Sequence, residues 1–129
     1  MNQHGHATCF QTLPKIQAFV FSPDLSFGDT AVITCAVKKG SQGPHSLAWL
    51  KDSLTLTGSH RVSVARQSDI VSTLTLRDIE PDDVGNYTCV ARNARGSQDA
   101  FTAVLTVSGT EVTTNSYFMV EYNLFLVSR

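Results

Sequence analysis

Apolar and polar positions alternate along much of the chain. Over residues 30–37, Ala31, Ile33, Cys35 and Val37 fall on one side and Val32, Thr34 and Ala36 on the other, the period-two pattern of a strand with one buried face. Leu47, Trp49 and Lys51 repeat it. Residues 61–65 and 70–76 read as an antiparallel pair with Val62, Val64, Leu74 and Leu76 inward. Gly85, Tyr87 and Cys89 then oppose Asn86, Thr88 and Val90, and a last strand over 99–107 turns Phe101, Ala103, Leu105 and Val107 inward. Residues 15–21 read as a first edge strand that Pro23 ends, because proline donates nothing to a ladder. Residues 24–27 continue it after a change of sheet, and Gly28-Asp29 turns the chain into the next strand. The connections carry turn chemistry: a loop over 38–45 with Gly40, Gly43 and Pro44, a short segment over 52–60, an acidic corner over 78–83, and a hairpin turn at Arg92-Asn93-Ala94-Arg95-Gly96 whose glycine suits positive φ. The pattern predicts an all-β fold of short antiparallel strands.

One stretch organises the rest: Asp83-Val84-Gly85-Asn86-Tyr87-Thr88-Cys89, with Cys35 and Trp49 upstream in β-rich runs of their own. The order Cys, Trp, Tyr-x-Cys is similar to the immunoglobulin signature. That resemblance implies a β-sandwich of two antiparallel sheets with Greek-key connections. It also implies a disulfide from Cys35 to Cys89 between the sheets, Trp49 packed on it, Leu74 beside them in the core and Tyr87 at a strand corner. Closing such a loop stabilises a fold by about 4 kcal/mol in the chain-entropy picture and belongs to an oxidising compartment. Residues 52–60 leave no room for the two extra strands of a variable-type domain. Arg61, at the start of a strand, is placed to meet Asp83 across the end of the sandwich as a structural pair.

Across residues 14–108 the chain resembles the I-set of the immunoglobulin superfamily. Pro14-Lys15-Ile16-Gln17-Ala18-Phe19-Val20-Phe21, Gly28-Asp29-Thr30-Ala31-Val32-Ile33-Thr34-Cys35-Ala36-Val37 and Leu47-Ala48-Trp49-Leu50-Lys51-Asp52 look like an ectodomain module of the arthropod Down syndrome cell adhesion molecule family, Dscam. Ser72-Thr73-Leu74-Thr75-Leu76 fits it too. The resemblance implies the extracellular part of a cell-surface membrane receptor, flanked by further immunoglobulin domains. Its alternative isoforms would recognise another copy of themselves, as an antiparallel two-fold homodimer. Residues 1–13, an unstructured lead, and 109–129, a tail of no evident origin, fall outside the resemblance. Cys9, in the lead, is read as a stray thiol rather than an intermolecular bridge. Residues 117–127 are apolar but too short to span a bilayer, and Glu121 interrupts them.

At 129 residues there is room for one such domain, and the formal net charge of −1 gives no footprint for a nucleic acid or an anionic membrane. The start of the chain lacks the charged and apolar regions of a signal peptide. Asp78, Glu80, Asp82 and Asp83 crowd one corner without calcium-loop spacing and read as a solvated turn, so no cofactor or metal is expected. No nucleophile elbow, metal-spaced His and Cys set or phosphate-cradling loop is present, which argues against an enzyme and a small-molecule substrate. His4 and His6 lie in the lead, and His45 and His60 read as solvent-facing loop residues.

Recognition is therefore expected on the sheets. Val32, Thr34, Ala36, Ser63, Ala65, Val71, Thr73 and Thr75 share one outer face, and none carries a charge. Such a face meets its own copy without desolvating an ion. The opposite outer face presents Leu50, Asn86, Thr88, Val90, Arg92, Thr102 and Val104, and Asn86-Tyr87-Thr88 is a glycan acceptor whose sugar would cover it. Phe19, Phe21 and Phe27, on the edge segments, are further contact candidates, although aromatics there are more often core than contact. Two alternatives stay open: a receptor or immune-recognition module that binds a different ligand through its loops, Lys38-Lys39 first, and a structural spacer or muscle-type intracellular domain with reduced cysteines.

Overall fold

The computed structural model describes residues 13–41 and 43–108. The lead to residue 12, with Cys9, His4 and His6, and the tail from residue 109 lie outside the described residues. Seven strands are assigned among those described: β1 (Ala31–Ala36), β2 (Ser46–Lys51), β3 (Leu54–Thr55), β4 (Val62–Ser68), β5 (Val71–Leu76), β6 (Gly85–Arg92) and β7 (Gln98–Leu105). They form two antiparallel sheets, ordered β1-β5-β4 and β3-β2-β6-β7, so β1→β2, β3→β4 and β5→β6 each cross from one sheet to the other. Side chains that alternate inward on both sheets meet between them, the packing of a β-sandwich.

Its centre is the Cys35–Cys89 disulfide, with both cysteines fully buried. Trp49 is the cross-strand partner of Cys89, and Ser72 that of Cys35. The indole Nε1–H donates to Ser72 Oγ across the gap between the sheets at 3.0 Å, so the one polar atom of the ring is paired where no water reaches. Leu74, Leu76, Ile79, Tyr87 and Leu105, all at most 1 % exposed, fill the space around it.

The entry to the sandwich departs from the expected edge strand. Residues 15–21 hold only a single antiparallel bridge, Ile16 to Val37, with Gln17 N–H donating to the Ala36 carbonyl and Lys38 N–H to the Lys15 carbonyl. Beyond it the chain leaves the ladder because its two phenylalanines are drawn inward. The Phe19 ring lies 5.6 Å from Trp49 and 4.9 Å from Phe101, and Phe21 lies 5.4 Å from Tyr87. These two residues are therefore core and not contact surface, while Phe27 is 47 % exposed. The expected change of sheet takes place: Leu25 is buried, and its carbonyl accepts the Ser108 N–H at 2.7 Å, beside the end of β7.

The connection over 52–60 lacks the two extra strands of a variable-type domain, as its length implied, and holds a single two-residue strand, β3. It is reached by a tight turn in which Asp52 and Ser53 both adopt left-handed φ, as a type I′ hairpin requires. Val64 pairs with Leu74 on the inward side, yet is 44 % exposed, because β4 is an edge strand and the facing sheet ends in that short β3.

Truncating Trp49 to Ala should lower the unfolding free energy by about 3–5 kcal/mol, measured by urea titration with the disulfide intact. A loss below about 1 kcal/mol would mean that the indole is not a core element.

Candidate recognition surface

The three-stranded sheet assembles the expected face. Val32, Thr75 and Ser63 form one cross-strand row, Thr34, Thr73 and Ala65 a second, and Ala36 with Val71 a third. All eight residues thus share one outer surface. Val32 is 57 % exposed; Thr34 and Ala65 are exposed, and the other five are half-buried. Part of that cover is polar, and periodicity alone did not reveal it. Arg77 Nη1 donates to Ser63 Oγ at 2.6 Å, Thr73 Oγ1 donates to Gln67 Oε1 at 2.9 Å, and Thr34 and Thr73 bring their hydroxyls to 3.4 Å. The face is uncharged in its eight residues and carries a guanidinium at one end.

The other sheet also bears out its expected outer face. Leu50 opposes Thr88, Thr88 opposes Thr102, and Asn86 opposes Val104, which is 56 % exposed. Asn86 is exposed, and its N–H donates to Asp52 Oδ1 at 2.9 Å. The hydroxyl of Thr88, third residue of the glycan acceptor, lies 2.7 Å from that of Thr102.

The corner before β6 is rigid. Arg61 sends Nη1 to Asp83 Oδ2 at 2.8 Å and Nη2 to Asp83 Oδ1 at 3.3 Å, while its Nη1 also donates to the Asp78 carbonyl. Asp83 Oδ2 in turn accepts the Glu80 N–H, closing a capping box over the 3-10 turn Pro81–Asp83. Tyr87 Oη donates to the Asp83 carbonyl at 2.6 Å. Burial holds the Tyr87 phenol well above its ordinary range, so the hydroxyl remains a donor at any physiological pH. Arg61, immediately before β4, thus meets Asp83 across the end of the sandwich. Beside it Gly85 sits at φ +149°, and a Cβ there would lie 2.8 Å from both carboxylate oxygens of Asp52.

His45 corrects the sequence reading. It is buried, with its side chain 1 % exposed, not solvent-facing. Its N–H donates to Asp69 Oδ1 at 2.9 Å, its Nδ1 meets Asp69 Oδ2 at 2.9 Å, and its Nε2 lies 2.7 Å from Ser41 Oγ. With Nδ1–H donating to the carboxylate, Nε2 is left to accept from the serine. Arg66 Nη2 donates to the His45 and Asp69 carbonyls at 2.6 and 2.8 Å. Hydroxyl, imidazole and carboxylate stand in line, but the enclosed ring serves as a clasp between the β1–β2 loop and the β4–β5 turn. Nothing local announces it, since the partners are 24 positions apart. Among the described residues no group of three or more His, Cys, Asp or Glu side chains is arranged to hold a metal ion.

Two carboxyls are tuned by these contacts. The His45 N–H and then its ring hold Asp69 below its ordinary pKa, and the Lys51 ammonium and then the Asn86 N–H do the same for Asp52.

The family model for the immunoglobulin domain matches residues 22–102. The chain is 38 % identical over 92 residues to the human cell adhesion molecule DSCAM, covering 71 % of this chain and 4 % of that protein. It is 32 % identical over 84 residues to the muscle M-line assembly protein unc-89 of Caenorhabditis elegans, covering 65 % of this chain and 1 % of that protein. The chain thus spans a small fraction of the length of both. Among solved structures, the Dscam1 Ig7 domain, isoform 5, superposes with a TM-score of 0.67 at 28 % identity, covering 74 % of this chain and 96 % of that one.

Replacing Arg61 by Ala leaves the buried Asp83 without its partner and should lower the urea midpoint; an unchanged midpoint would show the pair to be idle. Because the Asp69 and Asp52 carboxyls are depressed in the fold, their stabilisation is complete at neutral pH. It is lost as acid carries the solution through and below about pH 4. The urea midpoint of Asp69→Asn should therefore vary less than the wild type's over that interval, and parallel curves would contradict the assignment.

Proposed function

Because the chain belongs to the immunoglobulin domain family, and resembles modules of cell adhesion molecules among its relatives, we propose that it is a cell-surface adhesion module. In this reading it binds another copy of itself, in an isoform-specific way, through the outer face of β1-β5-β4. The observation that carries the reading is the set of cross-strand rows from Val32 to Val71, eight small or β-branched residues without a charge. Two copies meeting there desolvate no ion. The position of Arg77 favours an antiparallel two-fold. With the axis through the Thr34-Thr73-Ala65 row and across the strands, the two guanidiniums fall at opposite ends of the contact. A parallel pairing would superpose them.

The Cys35–Cys89 bond supports an extracellular setting, as the ectodomain of a membrane protein in series with other immunoglobulin domains. It disfavours the reading as a muscle-type intracellular module. Residues 14–108 form the module in this reading, with 1–13 and 109–129 outside it. A glycan on Asn86 would cover the β3-β2-β6-β7 face, on the far side of the sandwich from the pairing face, and so leave self-association free.

Sedimentation equilibrium tests the pairing. Thr73→Arg buries two like charges near the centre of the contact and should weaken dimerisation by about 3 kcal/mol, roughly a hundredfold, while Asn86→Gln leaves it unchanged. A wild-type protein monomeric at every concentration, together with ectodomain-coated beads that do not cluster, would overturn the reading.

A further inference from the structure

The two ends of the sandwich carry opposite charge. β1, β4 and β6 finish, and β2, β5 and β7 begin, at the end where the chain enters at Pro14. Lys15, Lys38, Lys39, Arg66, Arg92 and Arg95 stand there, against Asp69 and Asp99 among the described residues. The other end holds the turns around residues 26–30, 52–53 and 77–84 and the exit at Ser108. It carries seven carboxylates, Asp24, Asp29, Asp78 and Asp82 among them, against Lys51, Arg61 and Arg77.

Internal pairing does not cancel this polarity. Lys15, Lys38, Lys39 and Arg95 are exposed and form no ion pair among the described residues; nor do Asp24, Asp29, Asp78 and Asp82 at the opposite end. Both sets are also held in place. Lys38 N–H bonds to the Lys15 carbonyl at 2.8 Å, and the His45–Asp69 clasp and Arg66 pin the loop that carries Lys38 and Lys39. At the anionic end, Gly28 N–H bonds to the Ile79 carbonyl and Ile79 N–H to the Asp29 carbonyl, so Phe27 projects from a fixed turn with 47 % of its surface exposed.

We propose that the cationic end docks on the anionic end of a second copy, head to tail, with Phe27 as the apolar anchor of the contact. Unpaired, preorganised charges of opposite sign steer and orient association. A contact between two different surfaces does not close on itself, so it propagates into a row. This goes beyond the face-to-face reading and uses none of the eight residues of that face, so the two kinds of contact fail separately.

The test is made on the Thr73→Arg background, where face pairing is disabled. At low salt this protein should form species heavier than a dimer in sedimentation velocity, and about 0.5 M sodium chloride should return them to monomer. Lys38→Glu with Lys39→Glu, or Asp24→Lys with Asp82→Lys, should each abolish the association. In an equimolar mixture of the two variants, the unaltered anionic end of the first meets the unaltered cationic end of the second, so one-to-one association should recover at least tenfold over either alone. Circular dichroism of each variant establishes that it is folded. The proposal is overturned if the Thr73→Arg protein stays monomeric at low salt, or if the mixture associates no better than its components. It is also overturned if that monomer instead captures heparin through Lys38 and Lys39, which would make the cationic end a site for sulfated polysaccharide.

Discussion

A covalent bond between two sheets that have no ladder in common is the constraint on which the remaining geometry rests. Cys35 and Cys89 join β1 to β6, and each has a cross-strand neighbour that points into the same gap: Ser72 beside Cys35, Trp49 beside Cys89. Those neighbours bond to each other, so the sulfurs, the indole and the serine hydroxyl form one closed unit. With the inner faces fixed in this way, alternation leaves no choice about the outer ones. Val32, Thr34 and Thr73 face solvent because Ile33, Cys35 and Leu74 face the bond. The surface offered for recognition is the complement of the core, and a slip of one residue in either sheet would exchange the two.

A second, weaker constraint fixes the corner. Asp83 is shared by Arg61, by the Glu80 N–H and, through its carbonyl, by the Tyr87 hydroxyl. Three groups thereby converge on one residue. An ion pair of this kind adds little as a charge interaction alone; its weight comes from the bonds that its members make to the backbone.

What the sequence revealed and what it hid divide along physical lines. Alternation in β1, β5, β6 and β7 was legible because each strand buries one face continuously, and the Arg61–Asp83 pair was legible because Arg61 stands at the start of a strand at the same end of the sandwich as the acidic corner. His45 was not legible: a histidine among Gly, Ser and Pro looks solvated, and its burial depends on Asp69 in another loop. Residues 15–21 alternate as a strand would, yet Phe19 and Phe21 gain more by stacking on Trp49, Phe101 and Tyr87 than by extending a ladder. Charge was the most thoroughly concealed. A formal net charge of −1 describes a nearly neutral chain, and only the up-and-down course of the strands sorts cations to one end and carboxylates to the other. Periodicity puts the eight residues on one side of their strands, but the reach of Arg77 over Ser63 required three dimensions.

The bond between Ser108 N–H and the Leu25 carbonyl joins the last residues of the fold to an early segment running beside them. A module tethered at both ends would carry tension through that short contact, loading it along the strands. Once it parted, β7 and the segment before β1 could pay out at roughly 3.4 Å per residue. The chain between Cys35 and Cys89 could not, because the disulfide closes it into a loop. The same bond that organises the core would thus cap how far the module lengthens under load, leaving most of both sheets out of reach of the pulling force.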